Sequence, residues 1–119
     1  MVEIYGNTIR IPRGDTGAIR FRVTGAEMTD EHRGVFTLAG RGNMPLLRKV
    51  IAPGDNLFEM MFVHKDTASL RAGEYGWSFR VVRGTAFDEK GRYTDPPENQ
   101  DTPIREGRLL VLEVKGGVR

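Results

Sequence analysis

The stretch Asp66–Val82, with the sequence DTASLRAGEYGWSFRVV, decides the fold. Its first part, Asp66–Gly73, is polar and typical of a turn. The part that follows alternates between large and small or polar residues, and its larger side chains fall on one side: Tyr75, Trp77, Phe79 and Val81. A period of two predicts a strand with one buried face. Because each aromatic side chain can bury roughly 150–250 Å², we predict that this strand supplies much of the core.

Two further stretches alternate in the same way and are the predicted packing partners of the first. Ala18–Thr24 places apolar side chains on one face and arginines on the other, and Arg108–Val114 places three large apolar side chains on one face. The predicted inward residues of these two stretches are Ile19, Phe21, Val23, Leu110, Leu112 and Val114. The predicted structural core is therefore Tyr75, Trp77, Phe79, Phe21 and Leu112.

The whole chain shows seven or eight short strand patterns, with turn residues every 8–12 positions and no helix of ordinary length. This pattern predicts an all-β fold, an immunoglobulin-like β-sandwich, in a single domain over residues 1–119. A long irregular loop is expected at residues 84–107, where prolines and acidic residues collect. The position of Tyr75 after a polar turn predicts a tyrosine corner, in which its hydroxyl would bond to backbone a few residues upstream. The alternative is a core tyrosine whose hydroxyl simply lies at the surface.

Composition excludes several classes of protein. The chain has 119 residues and no cysteine, so disulfide frameworks and thiol chemistry are excluded. No apolar run approaches the ~18 residues that span a membrane, and the first residues lack the features of a signal peptide. The net charge is +2, with cations and acids interleaved. We therefore expect neither nucleic acid nor membrane as a partner.

No catalytic constellation is visible. The two histidines, His32 and His64, fall in different connections, and neither serine lies in a nucleophile elbow. We expect no enzymatic activity and no cofactor. Five acidic residues in the long loop could supply oxygen ligands for calcium, but they do not follow the EF-hand order; they are Asp88, Glu89, Asp95, Glu98 and Asp101. The expectation for metals is none.

Two segments resemble a known family. Ile11–Gly17, IPRGDTG, followed by a strand that begins Ile19-Arg20-Phe21, is similar to the opening of small structural domains of tailed phages. Asp66–Leu70 together with Gly73–Phe79, GEYGWSF, resembles their midsection. These domains are the immunoglobulin-like modules of upper baseplate proteins and of related tail or neck proteins of siphophages and prophages. The similarity in order and spacing covers residues 8–114.

The resemblance implies a non-enzymatic structural or adaptor component of a phage or prophage tail, made in the bacterial cytoplasm and located in the virion. Its partners would be other tail or baseplate proteins and copies of itself, as a homo-oligomer. Leu57–Val63 is apolar on both faces, which predicts either a central strand or a strand that a partner covers. The predicted interface residues are Leu57, Glu59, Met61, Arg20, Arg22, Arg80 and Tyr93. The alternative function is a carbohydrate- or ligand-binding sandwich module that uses the long loop and Tyr93.

Overall fold

The computed structural model of the chain describes residues 2–23, 29, 32–52, 54, 57–83 and 105–113. These residues form eight strands, one short α-helix and one 3-10 turn. The strands are β1 (Glu3–Tyr5), β2 (Thr8–Pro12), β3 (Gly17–Arg22), β4 (His32–Ala39), β5 (Pro45–Ile51), β6 (Leu57–Phe62), β7 (Gly73–Arg83) and β8 (Arg105–Leu112). The helix α1 spans His64–Ala68 and the 3-10 turn spans Arg41–Asn43.

The strands form two sheets that face each other across one core. The larger sheet has six strands in the order β1-β2-β8-β7-β4-β5, and the smaller sheet pairs β3 with β6. All neighbours are antiparallel except β2 and β8, which run parallel. The prediction of an all-β, immunoglobulin-like β-sandwich is confirmed.

Aromatic side chains join the two sheets. Phe21 of β3 stacks on Phe79 of β7, with ring centroids 4.1 Å apart and planes 6° from parallel. Phe21 also lies 5.7 Å from Trp77, and Phe58 of β6 meets Phe79 edge-on at 5.4 Å. Such pairs contribute about 0.5–1.5 kcal/mol each beyond the burial of their surface. The predicted core positions Phe21, Trp77 and Phe79 are buried, as expected.

Tyr75 forms the predicted tyrosine corner. Its hydroxyl donates a hydrogen bond of 2.6 Å to the carbonyl of Arg71, four residues upstream. Its ring is half-buried and packs against the core. The side chain therefore ties the start of β7 to the connection that precedes it.

The prediction for the inward face of β8 is wrong. Leu112 is half-buried on the outer side, whereas Leu109 and Val111 are buried in the core. The stretch is apolar on both faces, so its alternation does not say which face turns inward. The pairing of β8 with its neighbours sets the inward face. Leu109 is opposite Ile9 of β2 and Tyr75 of β7, and the side chains of these two residues lie on the core side.

The connection after β6 also differs from the prediction. The expected polar turn that starts at Asp66 overlaps the helix α1, which begins at His64 and in which Asp66 and Thr67 are buried. The buried hydroxyl of Thr67 accepts a hydrogen bond of 2.8 Å from the amide of Gly14. Residues 105–107, expected in the irregular loop, belong to β8. The rest of that loop, with its five acidic residues, lies outside the described residues.

A single carbonyl fixes the N-terminal hairpin on the larger sheet. The carbonyl of Asn7, in the turn between β1 and β2, accepts hydrogen bonds from Trp77 Nε1 at 3.0 Å and from the amide of Arg108 at 3.1 Å. The turn reaches these donors because residue 107 is a glycine. A Cβ atom there would overlap the Asn7 carbonyl oxygen and lie 2.7 Å from Trp77 Nε1.

We expect Gly107→Ala to lower the free energy of unfolding by about 1–3 kcal/mol, since the added methyl group must displace backbone and indole together. Gly76→Ala is the matched control, because it lies in the neighbouring strand and a Cβ atom there meets nothing within 4 Å. Denaturant unfolding of both variants tests this. Equal stabilities for the two variants would contradict the role of the Asn7 carbonyl.

Candidate interaction surfaces

The outer face of the smaller sheet brings together most of the predicted interface residues. The cross-strand pairs Ala18–Met61, Arg20–Glu59 and Arg22–Leu57 share this face, because residues directly opposite each other project to the same side. Arg20, Arg22, Glu59 and Met61 are exposed, and Leu57 is half-buried. Beneath them, Phe58, Met60 and Phe62 are buried in the core.

Strand β6 does not occupy a central position in the part of the chain that the structure describes. There it pairs along its length with β3 alone, so the expectation of a central strand is wrong. Its outer residue Met61 is 51% exposed. The other expectation, a strand that a partner covers, stays a prediction.

Arg80 lies on a different surface from the other predicted interface residues. It belongs to β7, opposite Val35 of β4, on the outer face of the larger sheet. A groove of about 430 Å³ crosses this face and is lined by both apolar and polar side chains. The polar ones include Thr37, Arg48, Ser78, Arg80 and Glu106. Trp77 also borders the groove but is only 6% exposed, so its ring belongs to the core. Tyr93 lies outside the described residues.

The structure contains an ion pair, Lys49–Asp66, that the sequence analysis did not predict; it lies where the two sheets meet and is called the seam. The ammonium of Lys49 on β5 lies 2.7 Å from Asp66 Oδ2 and donates a hydrogen bond of 2.8 Å to the carbonyl of Met61 on β6. Asp66, whose side chain is 3% exposed, also accepts a bond of 2.8 Å from the amide of Val63. Lys49 therefore occupies an edge carbonyl of β6 and holds β5 to the smaller sheet. The sequence signal was the presence of two cations, Arg48 and Lys49, in an otherwise apolar strand.

The exposed pair Arg20–Glu59 differs from this seam. Its separation is also 2.7 Å, but the two side chains are 63% and 48% exposed. Water and salt screen such a pair, which leaves it worth about 0–1 kcal/mol. The outer face of the smaller sheet is therefore held together by core packing, and its charges can exchange partners at little cost.

The two outer strands of the larger sheet carry exposed apolar side chains. On β1, Ile4 and Tyr5 are 47% and 57% exposed. At the opposite edge, Leu46 and Val50 of β5 are 46% and 43% exposed, and Met44 just before β5 is 67% exposed. An edge strand offers unpaired backbone groups, and exposed apolar side chains beside them favour pairing with another chain.

Both histidine rings hold connections in place. His64 Nδ1 lies 2.8 Å from the carbonyl of Gly14, to which it donates in the corresponding tautomer. His32 Nδ1 accepts a bond of 3.0 Å from the amide of Thr29. Among the described residues, no three His, Asp or Glu side chains form a group that could hold a metal ion. Within the same residues, no helix is long and apolar enough to cross a membrane.

We expect Lys49→Met to lower the free energy of unfolding by about 2–4 kcal/mol, because it leaves the buried Asp66 carboxylate without its cation. The matched control is Arg20→Met, which breaks an exposed pair and should cost less than about 1 kcal/mol. Chemical denaturation of both variants measures the difference. If Lys49→Met lowered the free energy of unfolding no more than Arg20→Met, the stabilising role of the Lys49–Asp66 pair would be contradicted.

Comparison with known proteins leaves the family open. No family model matches the chain, and no curated protein matches it. Among solved structures, the chain is similar to part of a "putative glycoside hydrolase" from Bacteroides vulgatus, with a TM-score of 0.40 and 16% identity. The match covers 88% of this chain and 16% of that protein. A likeness at this level carries no argument about function.

Proposed function

We propose that the chain is a non-catalytic module of a protein assembly, which associates with copies of itself and docks onto neighbouring proteins. The observation that supports this is the location of its exposed apolar side chains. Ile4, Tyr5, Met44, Leu46 and Val50 concentrate at the two edges of the larger sheet. Single exposed apolar residues are ordinary, but groups of them beside open strand edges mark interaction sites.

The outer face of the smaller sheet supports a second contact, with other proteins. It combines an exposed methionine with two arginines and one glutamate, Met61, Arg20, Arg22 and Glu59. Arginine and methionine are enriched in interfaces, since the guanidinium forms directed bonds and the thioether adapts its shape. Because the Arg20–Glu59 pair is exposed, a partner carboxylate can replace Glu59 at small cost.

The role of the histidines supports a non-catalytic module. His64 Nδ1 bonds to a backbone carbonyl, whereas His32 Nδ1 accepts a bond from the amide of Thr29 and also lies 3.2 Å from the hydroxyl of Thr29. General base catalysis needs a base within hydrogen-bond reach of the proton it removes. His32 is 8% exposed, which further limits access of a substrate to its ring.

The proposed assembly is the tail of a tailed phage or prophage, in the baseplate or neck region, with the protein made in the bacterial cytoplasm and incorporated into the virion. Support comes from the sequence resemblance of Ile11–Gly17 and Asp66–Phe79. These segments are in contact, because the Gly14 amide donates a hydrogen bond of 2.8 Å to Thr67 Oγ1. The occurrence of both segments in one chain therefore has a structural reason, because they pack against each other in the fold.

We expect the average mass of the purified protein, measured by light scattering, to rise above that of one chain as concentration increases. The reason is that sheet edges with exposed apolar side chains pair by mass action. A single-chain mass up to about 1 mM, where contacts worth about 4 kcal/mol already register, would contradict self-association.

For the tail assignment, the adjacent genes should encode tail-tube, tape-measure or baseplate proteins. A locus without any virion gene would contradict it.

A further inference from the structure

The two edge strands of the larger sheet run in the same direction. From β2, the sheet passes antiparallel to β1 on one side and parallel to β8 on the other. Three antiparallel steps then lead through β7 and β4 to β5. Strand β5 is therefore antiparallel to β2, as β1 is. A rotation about an axis along the strands brings β1 of one copy beside β5 of another, and the two strands are then parallel.

The two edges are chemically complementary. Strand β1 presents Glu3 and Tyr5 on the outer face of the sheet, since they pair with Arg10 and Thr8, and leaves Ile4 on the core side. Strand β5 presents Leu46, Arg48 and Val50 on the outer face, all exposed. One edge is acidic and aromatic and the other is basic and aliphatic. The chemistry of each edge fits the other.

We infer that copies of this chain join head to tail, with β1 of one copy parallel to β5 of the next, so that their larger sheets become continuous. This inference rests on the proposed self-association and specifies the surfaces that make it. In the register that fits both charge and apolar contacts, Glu3 lies beside Arg48 and Tyr5 beside Val50 of the next copy. Ile4 then lies on the core side beside Lys49, with Leu47, which packs against the core of its own copy, as its diagonal neighbour.

A symmetric dimer fits the same edges less well. Arg48 is the middle residue of β5, so antiparallel pairing of two β5 strands about their centres places two arginines opposite each other. Like charges in that position are destabilising. Pairing two β1 strands leaves both β5 edges exposed. Head-to-tail contact covers both edges, and such heterologous contacts close into rings or extend into filaments.

The smaller sheet offers no equivalent edge among the described residues. Lys49 of the same chain already occupies the Met61 carbonyl on β6. Strand β3 exposes Arg20 and Arg22, while its large apolar residues Ile19 and Phe21 are buried. Met61 and Val63 are exposed on and just after β6, but more of the exposed apolar side chains in the described part of the chain lie at the edges of the larger sheet.

Disulfide cross-linking tests the contact directly, because the chain has no cysteine of its own. Neighbouring strands are about 4.8 Å apart, within the Cα separation of about 4.4–6.8 Å that a disulfide needs. Glu3 and Arg48 of one copy are separated by five strand spacings, roughly 24 Å, so they cannot cross-link within a chain. The Glu3→Cys and Arg48→Cys proteins are oxidised in two ways, each protein alone and the two as a mixture. The concentration is one at which light scattering shows association.

The expected result is covalent dimer in the mixture and little in either protein alone, with a ladder of oligomers for the Glu3→Cys/Arg48→Cys double variant. Arg22→Cys mixed with Glu3→Cys is the control, because Arg22 is exposed on the other sheet. The inference would be overturned if the Glu3→Cys and Arg48→Cys mixture gave no more covalent dimer than this control. It would also be overturned if either single variant alone gave more dimer than the mixture. Self-association without this cross-link leaves the proposed function standing, whereas a single-chain mass at every concentration overturns both.

Discussion

The hydrogen bonds accepted by the Asn7 carbonyl are the constraint on which the arrangement of the larger sheet depends. One oxygen receives the indole N–H of Trp77 and the amide of Arg108, and so joins the N-terminal hairpin to β7 and β8. A buried indole N–H without a partner would cost about 1–3 kcal/mol. The bond therefore both orients Trp77 in the core and anchors β2 beside β8. As a consequence, β1 becomes the edge of the sheet.

The position of this anchor links the interior to the surface. Because β2 lies parallel to β8, the hairpin adds β1 to the larger sheet and leaves the smaller sheet with two strands in the described part of the chain. The core is closed by contacts between the sheets, of which the Phe21–Phe79 stack is the shortest ring pair. At the other edge, Lys49 fixes β5 to the smaller sheet through Asp66 and Met61. In the described part of the chain, β1 and β5 each pair with one neighbouring strand and form the two edges of the larger sheet.

The sequence predicts which face of a strand turns inward where only one face is apolar. The alternation around Phe21 and around Trp77 and Phe79 places large apolar residues on one face only, so the inward face follows directly. Strand β8 shows the opposite case: Leu109 and Leu110 are equally apolar, and only pairing with β2 and β7 selects Leu109. Long-range contacts of this kind are not encoded in local periodicity.

The candidate surfaces were predictable in part for the same reason. Arg20, Arg22, Glu59 and Met61 lie on the outer faces of strands that alternate clearly, and β3–β6 pairing brings them together. Arg80 follows the same local rule but lies on the other sheet, because strand order is decided by the whole fold. The Lys49–Asp66 pair was missed since the two residues are distant in sequence. The edge surfaces also emerge only once the order of the six strands is known.

Amide hydrogen exchange at low and high protein concentration tests most directly whether the open edges are the contact surfaces. We expect the amides of residues 3–5 and 46–51 to exchange more slowly at high concentration, because their free groups become hydrogen-bonded between copies. Amides of β3 and β6 should change little. Exchange at both edges of the larger sheet that is independent of concentration, or protection gained on β3 instead, would contradict this expectation.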